Sequence, residues 1–201
     1  RTVDVTNPDV VGAFLEVPRE AFLPEPLRPF AYIDEDLKLA PGRYLPAPAT
    51  LARLIQAASP RQGDVVLLVA AGTGYSAAVI SRLCAQVVAL ESDSGLAAAA
   101  NANLADCGYS NVVVVEGDLS AGFPSEGPYD LVFVEGAVGV VPESFGAQLK
   151  DGGRMVVVEG TGNAAVARLH VREAGRLSAR TLFNCAMKPL PGFEKAAEVG
   201  F

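Results

Sequence analysis

Two glycines one residue apart, Gly72 and Gly74, lie in a turn of small residues between two apolar segments. The segment before the turn, Val65 to Val69, is an unbroken aliphatic run, which is typical of a strand buried on both faces of a parallel sheet. The segment that starts at Tyr75 has the periodicity of an alanine-rich helix. Because such a turn lets a ligand approach backbone N–H groups, the pattern predicts the opening of a nucleotide-binding βαβ unit. The same spacing also occurs in purely structural turns.

Three acidic residues stand where the next predicted strands end. Glu91 closes the second strand about 20 residues beyond the turn, a position from which a carboxylate accepts hydrogen bonds from a ribose diol. Asp118 follows the third strand, where it could accept from the exocyclic amine of adenine, although Gly-Asp is also an ordinary turn pair. Glu135 follows the fourth strand. Since the carboxyl ends of parallel strands meet at one edge of a sheet, we expect the turn and these acids to line one crevice.

The elements that must position these residues alternate regularly from Asp64 onward. The predicted strands are 65–69, 86–90, 111–115, 130–134 and 154–159, and helices are predicted at 75–83, 94–107 and 141–149. Two further strand-like runs, 165–171 and 177–183, are joined by a short turn, so they predict an antiparallel hairpin at the edge of the sheet. The fold class expected is α/β, a mostly parallel, doubly wound, Rossmann-like sheet with a C-terminal antiparallel hairpin.

Residues 1–60 lack this alternation and predict an N-terminal helical cap on the α/β core, 61–201. A helix starts after Asn7 and stops before Pro18, and a second helix covers 49–58. Between them, 24–48 is rich in proline and predicts a long irregular segment. With no internal repeat or low-complexity linker, 1–201 is expected to form a single domain.

Composition excludes several classes of protein. The 201 residues carry a formal net charge of −7 with scattered Arg and Lys, which disfavours a nucleic-acid-binding protein. No apolar run approaches the roughly 18 to 20 residues of a membrane span, so no membrane partner is expected. The three cysteines have no C-x-x-C spacing, so neither a metal site nor a disulfide framework is predicted, and a reducing cytoplasm is the expected location. The single histidine, His170, is expected to be a half-exposed strand residue rather than a catalytic base.

The glycine turn favours one type of cofactor over another. It lacks the third glycine with which a dinucleotide fold packs its helix beneath a pyrophosphate, so a nicotinamide-dependent oxidoreductase is disfavoured. A ligand without pyrophosphate, such as S-adenosylmethionine, suits the turn better. The terminal hairpin in place of a sixth parallel strand also favours the methyltransferase form of the fold.

The sequence resembles the protein-L-isoaspartate O-methyltransferases over nearly its whole length. The matching segments are Val17–Pro24, Ala31–Tyr32, Gly72–Val79, Leu104–Asn111 and Gln148–Arg154. The resemblance implies methyl transfer from S-adenosylmethionine to the α-carboxyl group of an isoaspartyl residue in a damaged protein or peptide, with S-adenosylhomocysteine as product. It further implies a cofactor-binding set of Ala70, Ala71, Gly72, Thr73, Gly74, Glu91, Ser92, Asp118, Leu119 and Glu135.

Three departures from the family pattern suggest an alternative function. The family has an acid where this chain has Leu68 and a glycine where it has Ala70. On the expected substrate side, the family's Gln-Thr-Ile-Ser-Gln-Pro aligns with a segment in which Pro46 replaces the serine beside the methyl acceptor, so the catalytic residue is not identified. The substrate-side residues expected are Arg43, Tyr44, Leu45 and Pro46. The alternative function is that of a catalytically degenerate family member, a binding module with a remnant cofactor pocket.

Overall fold

A seven-stranded sheet lies at the centre of the protein in a computed structural model that describes residues 4–195. Its strands are β3 (Val65–Val69), β4 (Gln86–Glu91), β5 (Val112–Glu116), β6 (Tyr129–Val138), β7 (Leu149–Glu159), β8 (Val166–Glu173) and β9 (Arg176–Asn184). The order is β5-β4-β3-β6-β7-β8-β9. The first five strands in this order, from β5 across to β7, pair in parallel, and β8 and β9 add an antiparallel edge. This topology confirms the predicted α/β, Rossmann-like fold with a C-terminal antiparallel hairpin.

Five α-helices accompany the strands in the described part of the chain, together with five short 3-10 helices. The α-helices are α1 (Pro8–Glu16), α2 (Pro48–Ala58), α3 (Tyr75–Ser81), α4 (Ser94–Cys107) and α5 (Glu143–Ala147). The α1 helix begins as the sequence predicts, because the Asn7 side chain accepts hydrogen bonds from the N–H groups of Asp9 and Val10, at 2.9 and 3.3 Å. None of these helices combines the length and the apolar character that a membrane crossing requires.

Strand β3 is the strand at which the connections reverse direction. The chain runs from β3 outward to β4 and β5, then returns to place β6 on the other side of β3. In open sheets of this kind, ligands bind outside the carboxyl ends of the strands at such a reversal. This point brings together the bend after β3, the end of β4 and the distal part of β6.

Apolar side chains fill both faces of β3. Leu68 is fully buried in the larger cluster, which includes residues of α1 to α4, and its register neighbours are Ala89 and Phe133. Leu67 and Val69 lie in the second cluster on the opposite face. Alternate residues of one strand therefore pack into two separate apolar layers.

The proline-rich segment 24–48 is more ordered than the sequence predicts. It contains an antiparallel hairpin of two short strands, β1 (Leu37–Ala40) and β2 (Arg43–Leu45), which form a sheet of their own. Strands of four and three residues leave no detectable alternation in the sequence. This hairpin lies against the carboxyl edge of the large sheet.

Residues 188–193 also pack at that edge. The Leu190 N–H donates to the Ala137 carbonyl at 2.8 Å, and the Phe193 carbonyl accepts from the N–H groups of Gly139 and Val140. Strand β6 is longer than the predicted 130–134: Ala137, in its distal half, forms the first of these bonds, and Gly139 and Val140 follow its last residue, Val138. The segment therefore extends the order of β6 beyond the point where a loop was expected.

Candidate cofactor site

The bend between β3 and α3, Ala70 to Gly74, is held tightly to the end of β4. The N–H groups of Ala70 and Ala71 both donate to the Leu90 carbonyl at 3.0 Å. Three residues of the bend have a positive φ: 71° at Ala70, 58° at Gly72 and 96° at Gly74. A Cβ atom on Gly74 would lie 3.3 Å from the backbone of Ala100, so this glycine also permits close packing of α4.

The Glu91 carboxylate lies directly against the bend, as the spacing predicts. Its Oε1 accepts from the Gly72 N–H at 2.8 Å. Its Oε2 accepts from the N–H groups of Ser92 and Asp93 at 2.7 and 2.9 Å. The side chain has no exposed surface. Three backbone N–H groups thus fix the position of this carboxylate.

Arg43 of β2 occupies the remaining side of this carboxylate. Its two terminal nitrogens donate to the two carboxylate oxygens, Nη1 to Oε2 and Nη2 to Oε1, each at 2.6 Å. The Arg43 side chain is 9% exposed. Since a carboxylate has about four lone-pair sites and Glu91 accepts five hydrogen bonds, it has no free acceptor for a ribose hydroxyl.

The hairpin carrying Arg43 also covers the bend. A Cβ atom on Gly72 would lie 3.1 Å from the Leu39 Cδ1 atom of β1, and every residue from 71 to 80 is buried. The loop between β1 and β2 meets the C-terminal segment, because a Cβ on Gly42 would lie 2.8 Å from the Pro191 ring. The bend is therefore enclosed by side chains of the chain itself.

The cavity next to this enclosure is small. Its volume is about 10 Å³, and Tyr44, Pro46, Glu135 and Leu190 are among the residues that line it. Such a space holds about one water molecule, whereas pockets for small organic ligands measure roughly 300–1,000 Å³. Larger cavities lie elsewhere, for example one of about 550 Å³ beside α1 and 59–62.

The predicted adenosyl group does not fit this arrangement. Its expected ribose acceptor is saturated, its expected backbone bend is covered, and the adjoining cavity is too small. One polar atom of the bend, Thr73 Oγ1, is buried without a hydrogen-bond partner among residues 4–195. That single orphan does not offset the other three observations, so the site is closed to an adenosyl ligand in this conformation.

Glu135 is the second buried carboxylate at this edge. It accepts a hydrogen bond from the Ser76 hydroxyl of α3. Burial raises the pKa of Glu135 to about 8, against the opposing effects of the Ser76 hydrogen bond and of the positive charges on Arg43 and Arg19. The sequence places this acid at the crevice, but its protonation near neutral pH follows only from its surroundings.

The remaining predicted site residues are distributed more widely. Asp118 is exposed, and its carboxylate caps the turn that follows β5 by accepting from the Ser120 N–H at 3.0 Å. Leu119 is buried in the same apolar cluster as Leu90, and Ser92 is exposed. The site that the structure brings together thus contains the bend, Glu91 and Glu135, with Arg43 as a member that the sequence assigned to the substrate side.

The predicted substrate-side residues lie in β2 and in the short link from β2 to α2. Leu45 is buried in the large apolar cluster, and Tyr44 is half-buried beside the Lys188 ammonium group, 5.4 Å from the ring centre. The Pro46 carbonyl accepts from Arg19 Nη2 at 2.8 Å. This segment offers no hydroxyl group other than that of Tyr44. No catalytic residue is therefore identified on this side.

Neither the histidine nor the cysteines contribute to this site. His170 is buried on β8, where its Nε2 lies 3.1 Å from a Glu159 carboxylate oxygen. Cys84, Cys107 and Cys185 are free. Within the described range 4–195, no group of three or more His, Cys, Asp or Glu side chains could hold a metal ion.

Comparison with known proteins places the chain among methyltransferases. The family model for protein-L-isoaspartate (D-aspartate) O-methyltransferase matches residues 2–195. The protein-L-isoaspartate O-methyltransferase of Koribacter versatilis (strain Ellin345) is 37% identical over 183 residues, which cover 91% of this chain and 82% of the relative. That of Methanopyrus kandleri is 40% identical over 190 residues, covering 92% of this chain and 84% of the relative.

Solved structures show the same fold. A protein-L-isoaspartate O-methyltransferase superposes with a TM-score of 0.82 at 31% identity, covering 94% of this chain and 63% of the other. A Plasmodium falciparum protein, solved with S-adenosyl-L-homocysteine, superposes with a TM-score of 0.80 at 18% identity, covering 92% of each chain, and shows the fold alone.

The comparisons confirm the predicted family, fold class and type of enzyme. The predicted cofactor, S-adenosylmethionine, is that of this family of O-methyltransferases. With a family match that spans residues 2–195 and relatives at about two-fifths identity, the chain belongs to the protein-L-isoaspartate (D-aspartate) O-methyltransferase family.

Proposed function

We propose that this chain is an S-adenosylmethionine-dependent O-methyltransferase that acts on a carboxylate, the isoaspartyl α-carboxyl group, in a damaged protein or peptide. The observation that carries the proposal is the contact between the bend and Glu91 at the reversal of strand order, within a chain that matches the family over 2–195. Because the site is closed in this conformation, the function requires a second conformation in which the hairpin β1–β2 leaves the bend. The reducing cytoplasm is the proposed location, since the three cysteines are free.

Calorimetric titration with S-adenosylhomocysteine tests the cofactor half of this function. We expect saturable binding, and absence of binding at millimolar ligand would rule out the enzyme. The substrate half is tested by methanol release after incubation with S-adenosylmethionine and an isoaspartyl peptide, with the same peptide carrying ordinary aspartate as the matched control. Cofactor binding without methanol from either peptide would indicate a methyltransferase with another acceptor.

A second candidate function has observations of its own. Leu68 places an aliphatic side chain where the family has an acid, Pro46 removes the hydroxyl beside the acceptor, and Arg43 saturates Glu91. These features favour a family member that binds a protein or peptide without methyl transfer. Retained affinity for the isoaspartyl peptide over the aspartyl control, together with no binding of S-adenosylhomocysteine, would establish this second function.

A further inference from the structure

We infer that Arg43 is a built-in competitor for the ribose position on Glu91, and that the hairpin β1–β2 must withdraw it before an adenosyl ligand can bind. The inference concerns the closed site itself, and its ligand-binding half rests on the proposed function. It differs from the expectation that Glu91 stands ready for the cofactor while Arg43 faces the substrate.

The chemistry of the two groups is similar. A guanidinium offers a carboxylate two parallel N–H donors, and both are in use here at 2.6 Å. A ribose diol offers a carboxylate two O–H donors at the same place, so the two groups cannot bind Glu91 together. The guanidinium also carries a positive charge, and a fully buried carboxylate is strongly stabilised by an opposite charge. A neutral diol therefore competes at a disadvantage.

The connection between Arg43 and the rest of the protein makes its withdrawal feasible. β1 and β2 form a separate two-stranded sheet, so no strand ladder joins them to the seven-stranded sheet. An isolated hairpin of this size is marginally stable by itself. It is held over the bend by side chains: the Arg43–Glu91 ion pair, the packing of Leu39 over Gly72, and Leu37 and Leu45, which are buried in the large apolar cluster. Movement of the hairpin thus leaves the backbone hydrogen bonds of the large sheet intact.

Other charges near the pair do not substitute for Arg43. Glu135 and Arg19 also lie near this edge. The Arg19 Nη2 group donates to the Pro46 carbonyl, its Nε and Nη1 groups have no hydrogen-bond partner, and Arg19 forms no ion pair with Glu91 in the described part of the chain. The Glu91 oxygens otherwise accept only backbone N–H groups in the described part of the chain. Removing the Arg43 charge should therefore open the position without another cation filling it.

The test uses three variants. Arg43→Gln removes the charge and keeps a polar side chain, and Arg43→Lys keeps the charge but loses the paired donors. Arg154→Gln is the matched control, because Arg154 forms a comparably buried ion pair, 2.7 Å from Asp64, at the opposite end of β3. Two quantities are measured on each folded protein. The first is amide hydrogen exchange without ligand at Gly72 and Thr73, which lie under the hairpin and whose N–H groups, among residues 4–195, donate to no backbone carbonyl of the large sheet. The second is the affinity for S-adenosylhomocysteine.

We expect Arg43→Gln to bind S-adenosylhomocysteine at least about tenfold more tightly than the wild type. The reason is that the apparent affinity is the affinity of the open state multiplied by the fraction of molecules that are open, and this fraction is small when the closed state dominates. Exchange at Gly72 and Thr73 should rise by at least about tenfold in Arg43→Gln. Arg43→Lys should give intermediate values of both quantities, and Arg154→Gln should match the wild type in both. Equal measurable affinities in Arg43→Gln and the wild type, or an equal gain in Arg154→Gln, would overturn the inference.

The two proposals can fail separately. If none of the proteins binds S-adenosylhomocysteine, the proposed function fails, and exchange alone decides the inference: a rise confined to the Arg43 variants supports it, and unchanged exchange overturns it. If Arg43→Gln does not fold because Glu91 is left buried without a countercharge, Arg43→Lys decides by the same two measurements.

Discussion

Replacing Glu135 by glutamine tests the electrostatics of the closed site most directly. The carboxyl group is buried, and its only described hydrogen-bond donor is the Ser76 hydroxyl. Burial raises its pKa from 4.5 to about 8. The folded protein therefore binds this proton more tightly than the unfolded chain does, and its free energy of unfolding falls as the pH rises from about 4.5 through 8.

The magnitude follows from the size of the pKa shift. Each pKa unit corresponds to about 1.36 kcal/mol, so the interval from pH 5.5 to 8 contributes a loss of about 3 kcal/mol. Glutamine is of the same size and does not titrate. We therefore expect Glu135→Gln to be close to the wild type in stability at pH 5.5 and about 3 kcal/mol more stable at pH 8.5.

Urea unfolding at a series of pH values measures this difference. Every other titratable group is the same in the two proteins, so the difference between the two profiles isolates the contribution of Glu135. Glu143→Gln, at an exposed position at the start of α5, controls for the loss of one carboxylate. Parallel stability profiles for Glu135→Gln and the wild type would show that Glu135 is ionised in the fold and would refute the reasoning.

Three further predictions concern the backbone and the thiols. Ala70→Gly should leave the Tm near that of the wild type, because relief of about 1–2 kcal/mol of left-handed backbone strain offsets the loss of about 0.8 kcal/mol of methyl burial. Ala71 is equally buried but has no positive φ, so Ala71→Gly should lower the free energy of unfolding in urea by about 1–2 kcal/mol. Equal losses in the two variants would contradict the strain at Ala70. Gly136→Ala should cost about 1–3 kcal/mol, since the new Cβ would lie 2.4 Å from the Leu190 Cγ atom, and an unchanged Tm would contradict this packing. Burial raises the pKa of the Cys84 thiol to about 12. Alkylation of Cys84 by iodoacetamide at pH 8, followed by mass spectrometry, should therefore be at least about 100-fold slower in the native protein than in urea. Equal rates would contradict the raised pKa.

Much of the fold could be predicted because each central strand has its own apolar pattern. Val65 to Val69 and the strands after it are short aliphatic runs bounded by turn residues, and the structure places a strand at each one. The hairpin β1–β2 could not be found in this way, since its strands have only four and three residues. Its stability comes from contacts with distant parts of the chain, which local periodicity does not record.

The candidate site was predictable to a similar extent. The contact between Gly72 and Glu91 follows from the spacing of a turn and the end of the next strand. The ion pair between Arg43 and Glu91 joins residues 48 positions apart in elements with no common pattern. An arginine in an irregular segment gives no signal of the carboxylate that it will meet, so the closure of the site emerged only from the three-dimensional arrangement.

The packing of residues 188–193 along β6 has a consequence for biosynthesis. These residues follow every strand of the sheet in the chain, and the Leu190 side chain lies against Gly136 in the distal half of β6. A ribosome therefore releases this covering segment after the sheet-forming segments. Until this segment emerges, the nascent polypeptide exposes the apolar distal end of β6. A chaperone that binds at this stage, or a chain that terminates early, would therefore meet a candidate site that still lacks residues 188–193.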